Sequence, residues 1–178
     1  MTDDTALIDR AGRGEDRAFR ELYERHVDGL YRFLRQYSDD PMLVEDWVQR
    51  SFIKAFRSIG SFRQEARFAT WLLGIGINEM RSDRRRPTVV SFDSEEVALW
   101  NGQEDGRDGD FLREESVRRL IGRLDDAKRT VFLLHAVEGY SHAEIAAMLG
   151  ITEGTSRAQL SRAKQWLRDA LRTEETTT

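Results

Sequence analysis

Cysteine is absent from the 178-residue chain, which excludes a disulfide framework and any cysteine-ligated zinc and suits a reducing compartment. Proline occurs only twice, at Pro41 and Pro87, and runs of β-branched residues set off by turn residues are missing as well. A sheet protein would show such runs, so the chain reads as all-α. No apolar run approaches the roughly 18 residues that a membrane helix requires. Residues 1–9 begin acidic and hold no apolar core, so they do not read as a signal peptide. The three histidines, His26, His135 and His142, are far apart and fit no His-Glu-x-x-His or facial-triad spacing. A phosphate-cradling glycine loop and a serine nucleophile elbow are also missing. The expectation is a cytoplasmic protein that is not inserted in a membrane and is not an enzyme, with no cofactor and no metal.

What is present is charge in blocks. The net charge of −4 is unpromising for a nucleic-acid binder, but its distribution is informative. Residues 81–86 hold four arginines against Asp83 alone, and residues 155–172 hold Arg157, Arg162, Lys164, Arg168 and Arg172 against Asp169 alone. Between them, residues 91–115 carry nine acids and two arginines. Basic patches separated by an acidic connector point to a polyanionic partner at two places.

The apolar periodicity divides the chain into two helical modules. In residues 15–37, Phe19, Leu22, Tyr23, Leu30, Phe33, Leu34 and Tyr37 recur at three- and four-residue spacings, the stripe of an amphipathic helix. Pro41 suits the first turn of a second helix striped by Val44, Trp47, Val48, Phe52, Ala55 and Phe56. A third helix is predicted from Phe68 to about Arg85, stopped by Pro87, and a short one lies over residues 6–11. Residues 89–110, with Gly102, Gly106 and Gly109 among many acids, read as a flexible linker. Phe92, Val97, Leu99 and Trp100 within it suit either local packing or docking on a partner. Four more helices are predicted at 111–120, 126–137, 142–149 and 153–171, and residues 174–178 read as a disordered tail.

The turn between the last two helices has particular chemistry. Ser141 suits an N-cap with Glu144 complementing the helix's positive end, Gly150 a C′ position and Thr152 a second N-cap. Ile145, Ala146 and Leu149 face inward, Ile151 plugs the gap, and Leu160, Ala163, Leu167 and Leu171 line one side of the final helix. This is a helix-turn-helix, and its second helix presents Thr155, Arg157, Ala158, Gln159, Ser161 and Arg162 on the opposite side. Arginine suits guanine, glutamine suits adenine, and a helix N-terminus with a threonine suits a phosphate. In the first module, residues 62–71 interleave aromatic and basic side chains before a helix. Phe62 is placed to stack on an unpaired base, with Arg63 and Arg67 holding phosphates, whereas Trp71 and Leu72 read as core.

These residues also carry a family resemblance. Residues 45–52 (Glu-Asp-Trp-Val-Gln-Arg-Ser-Phe), 68–72 (Phe-Ala-Thr-Trp-Leu), Asn78 and 84–86 (three arginines) resemble the first domain of extracytoplasmic-function (ECF) sigma factors of the sigma-70 family. Residues 131–134, 138–141, 144–146, 149–151 and 153–155 resemble the second. The resemblance implies a region 2 type domain over 1–88 and a region 4 type helix-turn-helix domain over 111–173. It implies that the chain binds core RNA polymerase and directs promoter recognition and transcription initiation. Asp46, Gln49 and Phe52 would dock on the β′ clamp. Phe62, Arg63, Arg67, Asn78, Arg81, Arg84 and Arg85 would recognise and open the minus-ten element. The last helix would read the minus-thirty-five element while its domain touches the β flap, and an anti-sigma factor would hold the protein inactive. The departures are Arg50 where an acid is usual, Gly74 and Gly76 loosening a helix, Asp125 for a frequent proline, and Ser156 on a buried side that suits valine. A stand-alone helix-turn-helix regulator is the alternative, opposed by the aromatic-basic loop and the Asp46/Gln49 helix.

Overall fold

A computed structural model of the chain describes residues 4–85 and 119–176, with side chains to residue 173. The expected linker with its aromatic residues, Arg86, Pro87 and most of the expected helix over 111–120 lie outside the described residues. Every regular element among the described residues is helical. The chain divides into two units, Met1–Ala98 and Leu99–Thr178.

The first unit contains α1 (Thr5–Gly12), α2 (Asp16–Leu34), α3 (Pro41–Ser58) and α4 (Phe68–Arg84), with a 3-10 turn at Ile59–Ser61. The start of α3 follows from its sequence: Asp40, in extended conformation, accepts hydrogen bonds from the amides of Met42 (2.9 Å) and Leu43 (3.4 Å), and Pro41 occupies the first turn. Pro41 lacks an N–H where none would find a helical partner. The stripes meet in one core, where Leu22, Leu34, Trp47, Leu72, Ile77 and Met80 are almost wholly buried.

Helix α4 packs on both α2 and α3, and the expectation that Gly76 loosens it is reversed. A Cβ at Gly76 would stand 2.7 Å from Leu30 Cδ1 and 3.5 Å from both Leu34 Cδ1 and Ser51 Oγ. The missing side chain leaves room for Leu30 of α2. Gly76→Leu should therefore destabilise this unit by about 3 kcal/mol through overpacking. The check is a fall in the urea midpoint at unchanged slope.

Asp83 ties α4 to α3. It accepts a hydrogen bond from Trp47 Nε1 (3.1 Å) on one carboxylate oxygen and from Arg50 Nη2 (3.2 Å) on the other. Arg50 also pairs with Asp46 one turn earlier, at 2.5 Å. The arginine that departs from the family pattern is thus a bridge between two carboxylates.

In the second unit, residues 119–122 are helical, followed by α5 (Asp126–Phe132), α6 (His142–Leu149) and α7 (Glu153–Thr176). Leu120, Leu124, Val131, Leu133, Leu134, Ile145, Leu160, Ala163 and Leu167 form its interior. Asp125 caps α5 by accepting from the Lys128 amide at 3.0 Å, a task proline could not perform. The helix expected over 126–137 changes character at Leu133–Val137, which is a π turn. The Glu138 amide reaches back to the Leu133 carbonyl at 3.0 Å, and Tyr140 to Leu134 at 2.9 Å. Helix α7 runs to Thr176, past the expected end at 171 and into the segment read as tail, since no glycine or proline interrupts 171–176. Leu171, expected on the inner face, is 37% exposed.

Candidate nucleic-acid and partner interfaces

The helix-turn-helix is built by its caps. Ser141 accepts from the Glu144 amide while Glu144 accepts from the Ser141 amide (2.9 Å), a reciprocal capping box. Gly150 closes α6 at φ 64°, a left-handed conformation that glycine adopts without penalty. Thr152 Oγ1 then accepts from the Thr155 amide at 3.0 Å and opens α7. Ile145 is fully buried between the helices, while Ala146, Leu149 and Ile151 are partly covered.

On the outer side of α7, Thr155, Arg157, Ala158, Ser161 and Arg162 are exposed and Gln159 is half-buried. Arg157 pairs with Glu153 one turn earlier at 2.7 Å, with 61% of its side chain exposed. An exposed pair of this kind is weak, so the guanidinium is available to another acceptor. Thr155, Ala158 and Arg162 form one stripe, and Arg162 lies about 10 Å along the axis from Thr155. There it lines a cleft with Lys128, Gln165, Trp166 and Asp169, and Arg123 sits over the Trp166 ring at 5.8 Å. Ser156 is fully buried, as expected, but it is not misplaced. His142 Nδ1 lies 2.9 Å from its hydroxyl, so a valine would orphan the ring nitrogen.

In the first unit, the outer face of α4 begins at its cap residue Arg67 and runs through Trp71, Ile75, Asn78, Arg81 and Arg85 at three- and four-residue steps. Arg67, Asn78 and Arg85 are exposed, and Arg81 is half-buried. Arg85 Nε donates to the Arg81 carbonyl (3.2 Å), and Arg84 Nη2 to the Tyr37 carbonyl (3.4 Å). Arg84 therefore leans back toward the end of α2, off the Asn78–Arg85 face. Arg63 is exposed on the preceding loop, and Gln64 there adopts φ 56° and donates to Asp9 at 2.9 Å.

Phe62 differs from expectation. It is half-buried and stacked on Trp71, with centroids 4.6 Å apart and planes 23° apart, while Phe68 meets it edge-on at 6.2 Å. One face of the ring is already occupied, so Phe62 and Trp71 form a single aromatic platform. Trp71, expected in the core, is half-exposed. Loop-to-helix stacking of this sort has no signature in local periodicity.

Phe52 requires a correction. It is 3% exposed and packs edge-on against Tyr23 (4.6 Å) and Phe19 (6.4 Å), so it supports α3 from inside the unit. Phe56, expected in the core, is 42% exposed, because it sits one position round the helix from Ala55, which takes the buried place. The exposed residues of α3 form a seam with 4-3-4-3 spacing: Met42 (78% exposed), Asp46, Gln49, Ile53 (50%) and Phe56. Met42 and Ile53 were not singled out from sequence, and Phe56 was read as part of the core stripe. The heptad-like spacing was legible there, but the nearby core stripe through Phe52 concealed it.

Comparisons with known proteins bear on both units. The family model for sigma-70 region 2 matches residues 22–88, and that for sigma-70 region 4 matches residues 114–167. The RNA polymerase sigma-H factor of Pseudomonas aeruginosa is 30% identical over 94% of this chain and 93% of its own length. The ECF RNA polymerase sigma-E factor of Haemophilus influenzae is 32% identical over 94% of this chain and 95% of its own. Among solved structures, CnrH in complex with the cytosolic domain of CnrY aligns with a TM-score of 0.70 and 29% identity, over 96% of this chain and 97% of that one. RpoE of Bartonella quintana, in complex with the anti-sigma factor NepR, aligns at 0.69 and 25% identity, over 86% of this chain and 96% of that one. With both regions matched in order and full-length relatives at this identity, the chain belongs to the ECF RNA polymerase sigma factors of the sigma-70 family.

Proposed function

We propose that this chain directs transcription initiation through three separate faces, by binding and not by catalysis, within the cytoplasm. The α3 seam of Met42, Asp46, Gln49, Ile53 and Phe56 docks on the β′ clamp. Its 4-3-4-3 spacing is that of a helix meeting a coiled coil, with apolar anchors at both ends and polar groups between. The outer face of α4 carries minus-ten recognition: Arg67, Asn78, Arg81 and Arg85 engage the backbone and the Phe62–Trp71 platform stacks on an unpaired base. Stacking of that kind contributes about 1–3 kcal/mol per base. Arg63 extends this surface on the loop, and Arg84 joins it only by turning away from Tyr37.

The start of α7 reads the minus-thirty-five element. Thr155, Arg157, Ala158, Gln159 and Ser161 lie at the end that enters a major groove, whereas Arg162, farther along, serves phosphate. The second unit also contacts the β flap. The solved complexes of CnrH with the cytosolic domain of CnrY and of RpoE with the anti-sigma factor NepR support control of this chain by an anti-sigma factor. The observation that carries the reading is the coexistence of a capped helix-turn-helix with a 4-3-4-3 docking seam on the other unit. A stand-alone regulator has no use for the second.

Arg157→Ala and Gln159→Ala should each weaken holoenzyme binding to the cognate upstream element by about 10–100-fold, the worth of a bidentate base contact. Binding of the chain to core polymerase should stay unchanged. Footprinting beside a core-binding titration checks this. Equal loss in both assays would remove the base-reading role.

A further inference from the structure

The histidines of the second unit are left unexplained by promoter reading, yet they lie where three of its elements meet. His135 lies in the π turn that ends α5. Its Nδ1 is 2.7 Å from the Tyr140 carbonyl oxygen, and a carbonyl only accepts, so Nδ1 carries the proton. The His135 ring lies flat on that of His142, with centroids 4.4 Å apart and planes 14° apart. His142 is the first residue of α6, and its Nδ1 meets Ser156 Oγ at 2.9 Å on the first turns of α7. Ser156 is fully buried and stands between the base-reading candidates Thr155 and Arg157. Two imidazoles and one hydroxyl thus join α5, α6 and α7 at the point that sets where the reading helix begins.

We propose that His135, His142 and Ser156 form a proton-sensitive latch that positions the reading helix, holding it at neutral pH and loosening it on acidification. The surroundings set the direction. His142 is faced by the His135 ring from α5 and by Arg157, Lys164 and Glu153 from α7. On its own helix, Glu144 is engaged in the capping box. Burial first, then His135 and Arg157, hold the His142 ring below its ordinary value, with Glu153 opposing them. A cation at the first residue of α6 also meets the positive end of that helix. Protonation leaves the Ser156 contact possible, since a hydroxyl accepts as well as donates. Instead it places a charge against a stacked imidazole, two cations and a helix N-terminus.

The sign follows from linkage. The folded unit holds the His142 proton more weakly than the unfolded chain does, so stability is full above the unfolded value of about 6.5. It falls as pH drops through that value and stops falling below the lowered folded one.

The latch rests on α7 being the reading helix, and its test separates the two ideas. The full chain, bound to core polymerase, is titrated with a labelled duplex carrying the upstream element mapped from its own transcripts, at about pH 7.5 and about pH 5.5. The chain should lose about fivefold in affinity on acidification, beyond the change shown by His142→Gln, which keeps a polar partner for Ser156 and removes the titrating ring. Equal pH profiles for the two proteins, or tighter binding by the unaltered chain in acid, would overturn the latch. A chain that binds no duplex at about pH 7.5 would instead sink the DNA-reading role. In that case ring-proton NMR decides for the free chain: His142 must titrate below the ordinary imidazole value of about 6.5, with acid unfolding of the second unit following it. Should His142 titrate at or above about 6.5, the latch is lost, whether or not the variant folds.

Discussion

Replacing Ile53 and Phe56 together by aspartate should lower the affinity of the chain for core polymerase by about 100-fold or more. Both side chains are half-exposed on the α3 seam, so their removal leaves the interior intact. Apolar anchors of an interface contribute about 2 kcal/mol or more each when they fill a partner's surface. Two such losses correspond to at least two decades in affinity. The carboxylates add to the loss by facing the partner without hydration. Phe56 also packs on Phe19 at 4.7 Å, so thermal unfolding of the variant must be followed in parallel. Phe52→Ala is the informative contrast, because it empties a buried site and lowers stability and affinity together. Core titration of both variants checks the seam. An affinity that survives the double substitution would place the docking face elsewhere.

Trp47→Ala should destabilise the first unit by about 4 kcal/mol, as expected for emptying a fully buried indole site. Trp47 is 0% exposed, and its Nε1 donates to Asp83 from across the α3–α4 contact. Substitution leaves a cavity, and it also strips one hydrogen-bond donor from Asp83, leaving Arg50 as its partner. A small helical unit has only about 5–15 kcal/mol of stability in total, so this change brings it close to unfolding at ordinary temperature. The second unit has its own core and should melt as before. Two-wavelength melting of the full chain, with the first transition shifted and the second fixed, is the expected record. A single unshifted transition would contradict the role given to Trp47.

Much of this was legible in the sequence, for identifiable reasons. Helix starts were readable where a cap and a proline coincide, as at Asp40-Pro41. The turn was readable where a serine, a glycine and a threonine each have one local task, as at Ser141, Gly150 and Thr152. The reading residues of α7 were visible because base contacts favour particular side chains at a helix start. What escaped depends on neighbours distant in sequence. Gly76 reads as a weak point by helix propensity, and only the approach of Leu30 shows that a larger side chain is crowded there. Ser156 looks out of place until His142 is found opposite it. Phe62 looks free until Trp71 lies against it. Phe52 and Phe56 lie one turn apart and both touch Phe19, yet the first is buried and the second exposed, because α3 turns Ala55 inward. Periodicity gives the faces of a helix, but not which face a partner element covers.

The most direct test is transcription by core polymerase alone and with the purified chain, followed by sequencing of the transcript starts. The account predicts a discrete set of new starts that appear only with the chain and vanish when Ile53 and Phe56 are aspartate. Starts identical to those of core polymerase alone, from a chain whose two units are both folded, would contradict it.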